Sequence, residues 1–428
     1  MTNRLDQTAR DSGGEEHGHQ AVVTVLPTPL KERSLAPDLA RGVMLLLIAL
    51  AHAPYFLYTA PIGTIGIHPV IGNLADRLAQ GFTLMAVDAR VYTMFGFLFA
   101  YGIGQMYARQ TAKGTTPADA RRLLRRRHWW MIAFGAIHAA LLWQGDIIGS
   151  YGLIGLIMVP LFFNRTDRTL KTWIGVLLAL TAVFGLVGAL ASTVTTGQPA
   201  TNPQDIQLLS IAEPNYLTSV LERFPAWIAV LIGSLVGVSL PAAFLMGVLA
   251  SRHRILDNPG EHLVLLRRLA VGGIAAGWAT GAALALQHTG VIDIAPDAVV
   301  QHISLFAGTF TGIGYAALFG LIAHRMSRRS AAASGPVRWV SALGRRSMSG
   351  YLVQSLAWGP VLAAWGLGLG AQLSSWSVLA YAVTVWAATV VLAVAMERRG
   401  LRGPAELALR KLTYRGSAAP KPAPMENS

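Results

Sequence analysis

Apolar residues along this chain fall in runs of about twenty, the length of helix needed to cross roughly 30 Å of hydrocarbon. Ten such segments can be marked, at approximately 41–59, 91–108, 128–144, 147–164, 171–195, 224–250, 265–287, 303–324, 347–366 and 374–396. A further stretch, 72–87, is too short and too polar to span. It predicts an interfacial or re-entrant helix, because backbone leaves helical form at that depth only where protein or water satisfies it. The predicted fold class is therefore all-α, a polytopic membrane bundle of about ten helices over 38–414. Residues 1–37 and 415–428 are polar or Pro/Ala-rich and are expected to be disordered cytoplasmic tails. The first of these lacks the short apolar core of a signal peptide.

Charge tests the map. With the N-terminus inside, the cytoplasmic segments 1–41, 109–127, 165–171, 251–268, 325–346 and 397–428 hold 5, 7, 3, 4, 6 and 7 basic residues, 32 of the 35 Lys and Arg. Only Arg77, Arg90 and Arg223 fall on the other side. That asymmetry follows the positive-inside rule and predicts both termini in the cytoplasm. It also accounts for the formal net charge of +14, which in a soluble chain would suggest nucleic acid; no nucleic-acid partner is expected.

Composition agrees: 53% of residues are hydrophobic and 13% charged, against roughly 25% charged in soluble domains. The absence of cysteine excludes disulfides, thiol nucleophiles and thiolate metal sites. Gly273, Gly277 and Gly281 recur every fourth residue, as do Gly308 and Gly312, which predicts close helix–helix packing within the bundle.

Polar side chains inside lipid cost at least about 2.5–3.5 kcal/mol each, so each needs a reason. Arg41 and His52 are eleven residues apart on the first helix, about three turns and some 16 Å along one face. Asp38 precedes Arg41 by three residues and can pair with it. Asp88 and Arg90 flank the entry to the second helix, Asp146 sits in the turn Trp143-Gln144-Gly145-Asp146, and His138 lies two turns earlier. With His52 these can line an outward-facing cavity, or they can be ordinary interfacial pairs and turn residues. Ser347, Tyr351, Gln354 and Trp358 form a stripe at i, i+4, i+7 and i+11, preceded by Arg345 and Arg346. The stripe suits a ligand path or interhelical hydrogen bonding. The Arg121, Arg122, Arg125, Arg126, Arg127 run suits topology, lipid headgroups or the phosphates of an anionic donor. No phosphate-binding glycine loop, zinc-helix motif or Gly-x-Ser-x-Gly elbow is present, so ATP-driven work and soluble-domain hydrolase chemistry are not expected.

Several blocks resemble the YeiB-type family of bacterial membrane proteins. They are Asp38-Leu39-Ala40-Arg41-Gly42, Phe95 to Gly104, Gly145-Asp146-Ile147-Ile148, Tyr151 to Gly155, Leu343-Gly344-Arg345, Tyr351-Leu352-Val353-Gln354-Ser355, Gly403-Pro404-Ala405-Glu406 and Leu412-Thr413-Tyr414. In order and spacing they cover roughly 35–415. The family looks like a distant branch of the transmembrane acyltransferases, which move an acyl group from cytoplasmic acyl-CoA to an acceptor across the membrane. Their O-acyltransferase branch carries Arg, ten residues and His on the first helix, a spacing that Arg41 and His52 reproduce; in the YeiB-type branch the second position is often Asn.

The resemblance implies acyl-CoA as donor, no metal, and an envelope sugar or lipid as acceptor. His52 would be base or acyl acceptor, Arg41 would bind or orient the donor, and Asp88 and Asp146 would orient His52 or position the acceptor. Asp38, Arg90, His138, Arg345, Tyr351 and Gln354 would line the substrate path. A permease or exporter, or an envelope scaffold, are the alternative readings from the same residues.

Overall fold

The computed structural model describes residues 35–194, 205–328 and 335–415. Apart from residues 35–37 and 415, the expected tails lie outside the described residues. All regular structure among those described is helical; one isolated bridge, Ile62 to Pro69, is the exception.

The first span is α1 (Leu35–His52), extended by a 3-10 turn over Ala53–Phe56. The 72–87 stretch is indeed a separate short helix, α2 (Leu74–Ala86), closed at its start by a reciprocal cap between Asn73 and Asp76. A tight turn with Ala89 at φ 62° divides it from α3 (Val91–Ala112). The helix α4 (Pro117–Leu141) starts eleven residues before the expected 128 because Thr116 caps it, so the arginine run is helical rather than loop. After α5 (Ile147–Phe162) and α6 (Asp167–Val194), a short α7 (Asp205–Ala212) precedes α8 (Tyr216–Val236) and α9 (Ser239–Arg252).

The single helix expected at 224–250 is thus two. Val238 takes φ 47°, and Pro241 has no N–H to give to Gly237 O, so the ladder stops there and restarts. Then come α10 (Leu263–His288), α11 (Asp297–Arg328), α12 (Gly335–Gly344), α13 (Ser347–Leu362), α14 (Ser375–Arg398) and α15 (Pro404–Tyr414). Neither α12 nor α15 was expected as a helix. The first packs on α1 and α14, the second beneath α4 and α13.

Seven helical stretches are long and apolar enough to cross a membrane, by length and composition: Leu35–Phe56, Leu74–Ala112, Asp167–Ala191, Tyr216–Val236, Pro259–His288, Asp297–Ser327 and Ser375–Arg398. Helices α5 and α9 are apolar but shorter, and α4 and α13 fall outside that set. The apolar window of α1 is 61% buried within the protein and that of α6 only 11%, so α1 is central and α6 lies on the rim facing lipid.

The glycine spacing does what it predicted. Gly273 and Gly277 meet α11 at Phe310 and Thr311, and Gly308 and Gly312 meet the backbone between Ala89 and Met94. A side chain on Gly277 would collide with Thr311 Oγ1, itself bonded to Gly273 O at 2.9 Å. Gly277→Val is therefore expected to destabilise the protein by about 1–3 kcal/mol through overpacking, read as earlier thermal unfolding in detergent. A variant as stable as the wild type would show that α10 and α11 separate freely.

Candidate functional site

Among the described residues, two of the cavities in the bundle share a wall. The larger, about 680 Å³, sits at the end where α1 starts. Eight arginines line it: Arg41, Arg109, Arg127, Arg254, Arg345, Arg346, Arg402 and Arg410. Three acids, Asp38, Asp257 and Glu406, also line it, so eight cations against three anions leave a formal excess of five positive charges. The smaller, about 420 Å³, sits at the end where α1 stops and is lined by His52, Tyr55, His68, Asp88, Arg90, Tyr92 and Gln301 among others. Phe95, Ile147 and Tyr151 line both. These three side chains are the partition.

Local structure fixes the partition. Tyr151 is buried and donates to Tyr92 O at 2.7 Å, while Phe95 meets its ring edge-on at 4.3 Å between centroids. A residue with a side chain at Gly96 would collide with Leu240, so α3 and α9 approach closely just behind the wall.

In the arginine cavity the walls hold one another. Arg41 reaches Asp38 at 3.5 Å and Leu98 O at 3.3 Å. Arg345 and Arg346 clamp Glu397 from α14 at 2.8 and 2.5 Å, and Arg346 also donates to Leu401 O. Glu406 of α15 accepts from Met348 N at 2.8 Å and Ser349 N at 3.2 Å, a carboxylate at the start of α13 where the helix dipole favours it. Tyr414 faces the same space; burial pushes its phenol above the usual range, against the opposing pull of Arg127 and Arg109, which leaves it a neutral hydroxyl.

The residues expected to act together are divided. Arg41 and His52 share a helix face but open into different cavities, Arg41 with Asp38, Arg345 and Tyr351 in one, His52 with Asp88 and Arg90 in the other. Half-buried His52 packs edge-on against Trp143, with ring centroids 4.4 Å apart.

Asp146 and His138 do not line the smaller cavity with His52; of the two readings, Asp146 takes that of a turn residue. Asp146 is fully buried, caps α5 through Ile148 N at 3.1 Å and Gly149 N at 2.6 Å, and lies 3.2 Å from His138 Nδ1. The start of a helix offers unpaired N–H groups, and a carboxylate satisfies them better than water can at that depth. Asp88 pairs with His68 at 2.7 Å, not with His52. Arg90, buried, gives its guanidinium to Gly277 O at 2.7 Å, Ser304 Oγ at 3.0 Å and Asp88 O. Gln354 lines neither cavity; it bonds Thr389 of α14 at 3.3 Å, the interhelical alternative. Of the arginine run, Arg127 enters the cavity, while Arg121, Arg122 and Arg126 bond Asn164, Asp119 and Leu412 O.

Asp146→Ala is expected to lower stability by about 2–4 kcal/mol, since it removes a cap made of two charge-assisted bonds in a buried place. Asp146→Asn, which keeps one acceptor oxygen, is expected to recover part of that in thermal unfolding. Equal stability of the alanine variant would mean that α5 needs no cap.

A helical bundle with several membrane-length apolar helices and internal polar cavities defines an integral, multi-pass membrane protein. Residues 250–416, which supply Arg254, Arg345, Arg346, Arg402 and Arg410, match the family described as "Protein of unknown function (DUF418)". The chain is similar over most of its length to "Uncharacterized protein YxaH" of Bacillus subtilis (strain 168), 26% identical over 408 residues, 91% of this chain and 96% of that one. It is likewise similar to "Uncharacterized protein YeiB" of Escherichia coli (strain K12), 24% identical over 425 residues, 90% of this chain and 97% of that one. An "Uncharacterized 39.9 kDa protein in amylase 3'region" of Bacillus acidopullulyticus is 32% identical over 146 residues, 34% and 39% of the two chains. The likeness to the YeiB-type family expected from the residue blocks is borne out.

Proposed function

We propose that this protein is a membrane-embedded acyltransferase of the bacterial plasma membrane, moving an acyl group such as acetyl from cytoplasmic acyl-CoA to an extracytoplasmic or lipid-linked acceptor such as an envelope sugar. The observation that carries this reading is the pair of cavities meeting at Phe95, Ile147 and Tyr151, one strongly cationic and the other holding an imidazole. By the charge asymmetry of the loops the arginine cavity faces the cytoplasm. Its guanidinium groups suit the phosphates of CoA, because planar forks bind such oxygens in pairs. At about 680 Å³ it lies within the range of ligand cavities, roughly 300–1,000 Å³.

The donor's acyl end would pass the partition to His52. One imidazole nitrogen of His52 attacks the thioester carbon, the C–S bond breaks, and the proton released from the ring leaves with the thiolate as CoA thiol. The acceptor then enters the smaller cavity, its hydroxyl oxygen attacks the acyl-imidazole, the C–N bond breaks, and the hydroxyl proton ends on the departing ring nitrogen to restore His52. Two half-reactions on two sides of a wall need no soluble domain.

The test uses the full chain in proteoliposomes with acyl-labelled CoA. Label retained on the protein, and passed to a lipid-linked or soluble sugar, is the expected result. No label on the protein and no acceptor product would overturn the reading. One observation favours transport as a second reading: the α8–α9 break at Val238 is the kind of discontinuous helix found in carriers. Accumulation of an organic anion inside sealed vesicles, without acyl transfer, would decide for it.

A further inference from the structure

The smaller cavity holds a second imidazole, and its setting differs from that of His52. We infer that His68 is the base that takes the acceptor hydroxyl's proton, with Asp88 as its positioning residue; the inference rests on the acyl-transfer reading. His68 Nε2 lies 2.7 Å from Asp88 Oδ2, which leaves Nδ1 as the nitrogen for a second partner, and both residues line the same cavity as His52. An imidazole held by a carboxylate through one nitrogen is the arrangement that fixes a ring for proton transfer at the other. His52 has an aromatic neighbour, Trp143, in that role's place. The two histidines thus divide the labour: one carries the acyl group, the other the proton.

Both members of the pair are held by backbone geometry built for the purpose. His68 rides on a narrow loop closed by Gly63 N to His68 O and Val70 N to Pro61 O, each 3.0 Å, which turns at Gly66 with φ 63°. Thr64 at its tip bonds Asp297, which Gln287 also holds at 2.6 Å, so the loop is tied to α10 and α11. Asp88 sits in the turn whose next residue, Ala89, is in the left-handed region, a conformation that strains a residue with a Cβ. Arg90 holds that turn through Asp88 O. Strain kept in place by a buried guanidinium is what an over-determined functional site carries.

Other charged or titratable groups face the pair as well. His288 of α10 meets the His68 ring edge-on at 5.7 Å, Asp297 of α11 is tied in through Thr64, and Arg90 and Tyr55 share the cavity lining.

In the chemical step His68 Nδ1 accepts the hydroxyl proton as the acceptor oxygen bonds to the acyl carbon. The carboxylate of Asp88 balances the imidazolium that forms. The proton then passes to the departing His52 ring nitrogen, so both histidines return to their starting states.

The experiment separates the half-reactions in proteoliposomes, with acyl-labelled CoA as donor. His68→Gln is expected to form labelled protein at the wild-type rate and to release it to acceptor about 10²–10⁴-fold more slowly. Asp88→Asn is expected to slow release less, and Asp88→Glu to recover part of it. Added imidazole should restore release in His68→Ala, which a merely misfolded loop would not show. Release by His68→Gln at the wild-type rate overturns the inference and leaves the acyl-transfer reading standing. So does slow release that imidazole and Asp88→Glu both fail to improve. A wild-type protein that never becomes labelled overturns both.

Discussion

His52→Ala is expected to abolish labelling of the protein by acyl-CoA and to reduce acyl transfer by at least about 10²–10⁴-fold, the range that positioned imidazoles supply. The fold should survive, because His52 is half-buried at the last turn of α1 and makes a ring contact with Trp143 rather than a structural hydrogen bond. Unchanged thermal unfolding, together with lost labelling, is the joint result expected. Donor binding should persist, since the arginines lie beyond the partition. His52→Asn is the sharper substitution: the amide is similar in size and polarity but cannot hold an acyl group as an imidazole does. If either variant transfers acyl groups at the wild-type rate, His52 is not the relay.

Hydrophobic periodicity made the bundle legible because lipid imposes one rule on every span, an apolar run with its backbone bonded internally. It failed where side chains rather than lipid decide. A run of apolar letters at 224–250 hides Pro241, whose missing N–H breaks the helix two residues past the end of α8. The amphipathic α15 is no apolar run at all, yet Leu409 and Thr413 are buried beneath α4 and α13.

The site divides along the same line. Arg41 and His52 stood out because a charge in a span demands a reason, and both do line cavities. Arg109, Arg254, Arg402 and Arg410 lay in segments whose charge the topology already explained, so nothing singled them out. His68 sits outside any span, in a loop where an imidazole costs nothing, and only the fold brings it to Asp88. Asp146 misled for the opposite reason: a buried carboxylate in a turn is as well explained by helix capping as by catalysis, and capping is what it does.

Neutralising the arginine cavity is expected to have the second large effect. Arg254 follows α9 and Arg410 lies on α15, so they face the cavity from separate elements, and neither is buried. Each charge-assisted contact to a phosphate is worth about 1.5–3 kcal/mol, and about 1.4 kcal/mol is tenfold in affinity. Arg254→Gln with Arg410→Gln should therefore raise the Kd for acyl-CoA about 10²-fold or more. Folding should change little at exposed Arg254, where surface substitutions usually stay within about 0.5 kcal/mol, and modestly at half-buried Arg410. Added salt should weaken wild-type binding more than that of the double variant, since screening acts on the charges the variant has lost. Lysine at both positions should recover part of the affinity, as a point charge without the fork. If the double glutamine variant binds acyl-CoA as tightly as the wild type, with the same salt dependence, the cationic cavity is not where the donor sits, and the route from that cavity through the partition to His52 falls with it.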